Sequence, residues 1–221
     1  MDEQKQIELI RRIASVVGHE LRNPLAVINN SAYFLKTKLG QSGSLDAKVE
    51  KHLGIVVSEI QRTDKMIADI LTYSRPMQVT PGTVALGAIV QAQLAAMAMP
   101  STIKVEKKVK EVEAKGDEKL LGDAVRRFLD NAVEAMAEGG SMTITVGKEK
   151  EMAFVEVKDS GSGIKPEVLA ELFEPFRTGK PRGLGLGLAL ARKIALAHSG
   201  KVEGENMKGG GARFRLLVPA A

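Results

Sequence analysis

The sequence predicts two units in tandem: a helical hairpin that pairs with a second copy into a dimeric four-helix bundle, then an α/β sandwich with one helical layer. Three observations predict this. Apolar residues recur at alternating three- and four-residue spacing from Ile7 to Leu39 and again from Val49 to about Tyr73. Turn formers then gather at Tyr73-Ser74-Arg75-Pro76 and Thr80-Pro81-Gly82-Thr83. Beyond them, short alternating segments interleave with helical ones. These features place the hairpin at 1–75, a linker at 76–82 and the second domain at 83–221.

Composition sets the class. With 44% hydrophobic and 27% charged residues the 221-residue chain is that of a soluble globular protein with a real core. Aromatics are only 4% and Trp is absent, so Leu, Ile, Val, Ala and Met must supply the packing. The lack of Cys excludes disulfides and thiolate metal sites. No apolar run approaches the roughly 18 residues a membrane helix needs, and Met1-Asp2-Glu3-Gln4-Lys5 is unlike a signal peptide. A cytoplasmic soluble core is expected, compatible with membrane attachment of a longer protein. The net charge is +5, but Lys and Arg are interspersed with Asp and Glu, so no nucleic-acid partner is expected.

In the first unit, Ile7, Ile10, Ala14, Val17, Leu21, Leu25, Ile28, Leu35 and Leu39 wind one apolar stripe along a long helix. Gly40-Gln41-Ser42-Gly43-Ser44 breaks it, and Val49, Leu53, Val56, Ile60, Thr63, Ile67 and Ile70 repeat it. Two such seams bury little alone, which is why the hairpin predicts a homodimer. His19 lies two residues beyond Val17, off the stripe, so its ring is expected to face solvent. Asn23 follows one turn later on the same face. Pro24 leaves the carbonyl of Glu20 without its usual helical donor, at a cost of about 3 kcal/mol in an ordinary helix interior, which makes a functional reason the better one. Glu20 sits about 100° round the helix and is placed to handle a proton, leaving a neutral imidazole as nucleophile. The plainer reading of the His-Glu pair is a solvated surface pair.

In the second unit, strands are expected at Val84–Leu86, Ile103–Val109, just before Gly116, Met142–Lys148, Met152–Lys158, Lys201–Glu205 and Ala212–Val218. Helices are expected at Gly87–Met99, Asp117–Ala137, Pro166–Leu172 and Leu186–His198. Four constellations stand on this scaffold. Asn131 lies on a helix whose apolar side includes Phe128, Leu129 and Val133. Asp159-Ser160-Gly161-Ser162-Gly163 follows a strand, so Asp159 can point from the strand end into a cavity while Gly161 and Gly163 let backbone approach a flat ligand; alone, this is more often a plain turn. Phe173 and Phe176 lie in Leu172-Phe173-Glu174-Pro175-Phe176, which is followed by a polar segment holding Thr178 and three cations, Arg177, Lys180 and Arg182, that could reach phosphates. Gly183, Gly185, Gly187 and Leu188 open the next helix, where exposed N–H groups attract phosphate. The glycine pattern alone is weak: no Gly-Lys-Ser/Thr makes it a Walker loop, and it comes too late for a dinucleotide fingerprint.

His19-Glu20-Leu21-Arg22-Asn23-Pro24-Leu25 resembles the H-box of sensor histidine kinases. The order Asn131 helix, Asp159-x-Gly-x-Gly, Phe-rich segment and Gly-rich helix start resembles the N, G1, F and G2 boxes of their ATP-binding domain, of the Bergerat fold shared with DNA gyrase. The resemblance runs from about residue 7 to 218. It implies ATP and Mg²⁺ as cofactors, His19 as phosphoacceptor, and Asn131 as the Mg²⁺ ligand. Asp159 would accept the adenine amino group, with Gly161 and Gly163 shaping its pocket. Phe173 to Arg182 would form the ATP lid, and Gly183, Gly185 and Gly187 would approach the phosphates. It implies a response regulator receiver domain as partner, an upstream sensor domain or protein, and phosphatase activity through Asn23. One departure is plain: Arg127 stands four residues before Asn131, where many members carry a second Asn, and Arg cannot ligate Mg²⁺. That position motivates a second reading, a phosphotransfer or adaptor protein with a degenerate nucleotide domain. A third, an ATP-driven conformational machine, is opposed by the H-box. His52 and His198 read as solvated or structural.

Overall fold

The computed structural model describes residues 3–41, 46–179 and 184–221, with side chains for all of these except residues 3–20 and 23. Two compact units divide the chain, Met1–Pro76 and Met77–Ala221. Among the described residues no helix is long and apolar enough to cross a membrane.

The first unit pairs α1 (Glu3–Gln41) with α2 (Ala47–Ser74). Helix α1 runs uninterrupted through Pro24. Asp46 starts α2 by accepting the Val49 amide at 2.8 Å, one of the four donors a helix start leaves unsatisfied. Arg75, which precedes Pro76, ends it in an extended conformation, as the residue before proline prefers. Ala32, Ile60, Ile67 and Leu71 are buried, and Leu25 and Ile70 pack against the last two. Among the described side chains, part of the predicted stripe stays uncovered within one hairpin. Leu21, Ile28 and Leu35, spaced by seven residues, remain 45%, 48% and 49% exposed, and Val27, Phe34, Ile55 and Val56 are exposed as well.

The second unit begins earlier than the predicted domain start. Met77 packs on its core and the Thr80 amide donates to Asp117 Oδ2 at 3.0 Å, so residues 77–82 are held by this unit. A small antiparallel pair joins β1 (Gly82–Ala85) to β3 (Glu113–Gly116). The main sheet has the order β2 (Ile103–Val109), β4 (Gly140–Glu149), β5 (Met152–Asp159), β7 (Ala212–Pro219), β6 (Lys201–Asn206). It is mixed: β2 and β4 run parallel, and every other neighbour is antiparallel. One face takes the helices α3 (Leu86–Ala95), α4 (Glu118–Ala135) and α6 (Gly187–Ala197), and a short α5 (Pro166–Leu169) lies between β5 and α6.

Alternation along the strands makes that layer. Ala153, Val155, Val157 and Asp159 of β5 are buried on the helix side, and Ala212, Phe214, Leu216 and Val218 of β7 continue the face. Phe128 of α4 meets Phe214 with ring centroids 5.7 Å apart, and burying each such side chain contributes about 1.5–3 kcal/mol. The opposite face is ionic. Arg215 stacks on the Phe154 ring at 4.4 Å and forms an ion pair with Glu149 at 2.9 Å, with Glu156 and Glu203 also in reach.

Several boundaries differ from those predicted. Helix α3 ends at Ala95 rather than Met99: the chain turns at Ala96 and Met97, whose amides donate back to Ala92 and Leu94, and Met99 precedes Pro100, which disfavours helix. Helix α5 stops at Leu169 rather than Leu172, and Leu172 instead inserts into the core. Leu186 is buried ahead of α6, which starts one residue later at Gly187.

Candidate functional site

His19, Glu20 and Asn23 lie on α1, with His19 and Asn23 one helical turn apart. Their side chains fall outside the described set. Lys180 and Gly183 lie outside the described residues altogether.

At the sheet end, Asp159 closes β5 and is only 2% exposed. Its Oδ1 accepts the Gly161 amide at 2.9 Å and the Ala212 amide at 3.3 Å, so two backbone donors fix the carboxylate. The loop after it is bound on both sides. Gly161 lies against the end of α4, where a Cβ would sit 2.5 Å from the Ala135 carbonyl oxygen, and the Ser162 amide donates to that same oxygen at 3.3 Å. Asn131 is half-buried on α4 one turn before Ala135, so the Asp159 loop and the Asn131 helix are adjacent.

On its other side the loop meets the turn between β6 and β7. Gly163 has φ +72°, and a Cβ there would come within 2.8 Å of Asn206 Oδ1. Asn206 bonds both backbone groups of one residue: its Oδ1 accepts the Ile164 amide at 2.6 Å, and its Nδ2 donates to the Ile164 carbonyl at 2.8 Å. Gly211, at φ +80°, passes so close to the Asp159 carbonyl that only glycine fits. Asn206 and Gly211 were not among the predicted site residues. The run Gly209-Gly210-Gly211 between two strands was the available signal, since all three adopt positive φ.

The Phe-rich segment splits by position. Phe173 is half-buried and packs on the core, whereas Phe176 is 61% exposed with φ 63°, an unusual conformation for a bulky residue. The Phe176 amide donates to the Gly185 carbonyl at 3.1 Å, tying the two ends of the intervening segment together. Gly185, with φ +71°, lies against the Arg177 backbone, where a Cβ would stand 2.6 Å from both N and O. Two ion pairs flank this base: Arg177 with Glu171 at 2.7 Å, and Arg192 of α6 with Glu174 at 2.6 Å. Thr178 is exposed, and Leu188 packs on the core from the first turn of α6. Among the described residues a Cβ on Gly187 would meet nothing within 4 Å, so there is open space beside Gly187.

Arg127 is 11% exposed in its side chain and is held by Asp123, whose Oδ2 takes both Nε and Nη2 at 3.1 Å. His198 is buried and structural: its Nε2 accepts the Asp117 amide at 3.0 Å, and its Nδ1 lies 2.7 Å from the Ile194 carbonyl. Asp117 caps α4 through the Leu120 amide at 3.0 Å. That bond, with those from Thr80 and Lys119, lowers its carboxyl below the ordinary value of 3.8 against the opposing effect of burial.

Residues 9–78 match the His Kinase A (phospho-acceptor) domain, and residues 116–221 match the histidine kinase-, DNA gyrase B-, and HSP90-like ATPase family. The chain belongs to the histidine kinase family. It is 30% identical to sporulation kinase C of Bacillus subtilis, over 98% of this chain and 50% of that protein. It is 28% identical to the signal transduction histidine-protein kinase AtoS of Escherichia coli K12, over 99% of this chain and 36% of that one. The chain therefore spans about half the length, or less, of these curated relatives. Full-length ShkA, solved in complex with AMPPNP, shares the fold with a TM-score of 0.75 at 22% identity, covering 95% of this chain and 46% of that one. Within the histidine kinase frame, His19, Glu20 and Asn23 fall in the phospho-acceptor match, while Asn131, Asp159 and the Gly185–Leu188 helix start fall in the ATPase match.

Proposed function

We propose that the second unit binds ATP and donates its γ-phosphoryl group to His19, and that phosphorylated His19 passes the group to an aspartate of a response regulator receiver domain. The observation that carries this reading is the pairing of a phospho-acceptor domain around His19 with an ATPase-type domain in one chain. Asp159, fixed through Oδ1, accepts the adenine amino group, and the loop from Gly161 to Gly163 forms the edge of the adenine site. The segment from Phe173 to Arg182 acts as the lid. Glu20 handles the imidazole proton, and Asn23 orients a water for hydrolysis of the regulator's phosphoaspartate.

Mg²⁺ fits beside Asn131, since an amide oxygen is a hard ligand and this ion takes most of its remaining ligands from phosphates and water. Held there by Asn131, the ion would offset charge on the triphosphate. Charge developing on the γ-phosphoryl is further met by the amides at the start of α6, where Gly187 leaves room for close approach. The uncovered line Leu21, Ile28 and Leu35 supports a homodimer in which two hairpins make a four-helix bundle. An upstream sensor domain or protein supplies the signal.

Arg127 favours one alternative, a phosphotransfer or adaptor protein with a degenerate nucleotide domain, because its bond to Asp123 places a cation where a metal-ligating amide is common. Phosphotransfer profiling separates the two. The chain is loaded with γ-labelled ATP and mixed with purified receiver domains. The kinase reading predicts label on the chain and rapid transfer to a cognate receiver; nucleotide binding with no labelling supports the alternative.

A further inference from the structure

The turn between β6 and β7 acts on the Asp159 loop at three places. The Ala212 amide bonds Asp159 Oδ1, Gly211 lies against the Asp159 carbonyl, and the Asn206 amide holds both backbone groups of Ile164. The turn is itself closed by the Met207 amide on the Gly211 carbonyl at 3.0 Å. Thus the segment from Asp159 to Ile164 is set between α4 and this turn, and Asn206 is its outermost fastening. The side chain of Asn206 is on the surface, and its two bonds go to a loop rather than to the sheet.

We infer that Asn206 is a specificity-determining positioning residue: by fixing Gly163 and Ile164 it holds the purine-facing edge of the site, and so sets how well the chain distinguishes adenine from a purine without the amino group. This rests on the adenine role proposed above for Asp159. The chemistry is particular to a primary amide. A carboxylate at 206 keeps the acceptor for the Ile164 N–H but loses the donor to its carbonyl, and alanine loses both. Because the phosphate-facing start of α6 lies on another element, the effect is confined to the base end of the ligand.

The test is calorimetric titration of the full chain with ADP and with IDP in the presence of Mg²⁺. Asn206→Ala is expected to weaken ADP binding about tenfold, the scale of two lost loop-fixing bonds, with a much smaller effect on IDP, so the ADP-to-IDP preference narrows. Asn206→Asp falls between, and it keeps the test decisive if the alanine variant folds poorly. In turnover the loss appears in KM for ATP with kcat retained. An unchanged ADP-to-IDP ratio in both variants, beside a wild type that prefers ADP, overturns the role of Asn206 alone. A wild type that binds neither nucleotide, or both equally, overturns the adenine assignment of Asp159 and this inference with it.

Discussion

The amide of Asp117 donates to Nε2 of His198 at 3.0 Å, joining the residue that caps α4 to the residue that ends α6. Because Nε2 accepts, Nδ1 carries the proton and donates to the Ile194 carbonyl at 2.7 Å. One buried neutral ring thereby fastens two helices of the nucleotide unit. Replacing it leaves the part-buried Asp117 N–H without this partner, beside a cavity. His198→Ala is expected to lower unfolding free energy by about 1–3 kcal/mol, read from a reduced urea midpoint at unchanged slope. A midpoint equal to wild type would show that His198 does not fasten these helices.

Asp117 adds a pH dependence of known sign. Its carboxyl is held low mainly by the Leu120 amide, then by Thr80 and Lys119. The folded pKa is thus depressed, so the stabilisation is fully present above the unfolded value and is lost as pH falls through the folded one. Urea midpoints measured from about pH 5 down to about pH 2 should fall in wild type, with the fall reduced in Asp117→Asn. Equal slopes in the two proteins would contradict the cap.

How much of this was legible in the sequence depends on whether the signal was local. The stripe through Ile60 and Ile67 announced a hairpin, and the alternation through Val155 and Val157 announced a strand buried on one face, because both patterns are fixed by periodicity alone. Asp159 was legible as a strand-end carboxylate with glycines after it. Asn206 and Gly211 were not: their partners lie 42 and about 50 residues away, and nothing in the local pattern specifies which loop a turn will touch. The end of α5 differs from the predicted one for a similar reason, since Leu172 continues the helical spacing but is claimed by the core.

Gly187 and Gly211 should respond differently to the same added methyl group. Among the described residues a Cβ at Gly187 meets nothing within 4 Å, so Gly187→Ala is expected to keep its melting temperature within a few degrees or raise it, and, if the proposed phosphate site is there, to lower nucleotide affinity. Gly211→Ala combines positive φ with a backbone clash and should lose stability by about 1–3 kcal/mol or more. Thermal melts paired with nucleotide titration check both. Full affinity in Gly187→Ala would place the phosphates elsewhere.

The exposed seam predicts an oligomeric state. Ile28→Glu and Leu35→Glu each put a charge into the surface that a second hairpin would cover, and the double variant is expected to sediment as a monomer while retaining its helical circular dichroism. A wild-type chain that is already monomeric at about micromolar concentration would contradict the four-helix bundle.

The most direct measurement compares wild type with His19→Gln after incubation with γ-labelled ATP and Mg²⁺. Wild type is expected to carry an acid-labile, base-stable label and the variant none, with nucleotide affinity unchanged between them. Label retained on His19→Gln, or wild-type label that survives acid, would contradict His19 as the acceptor.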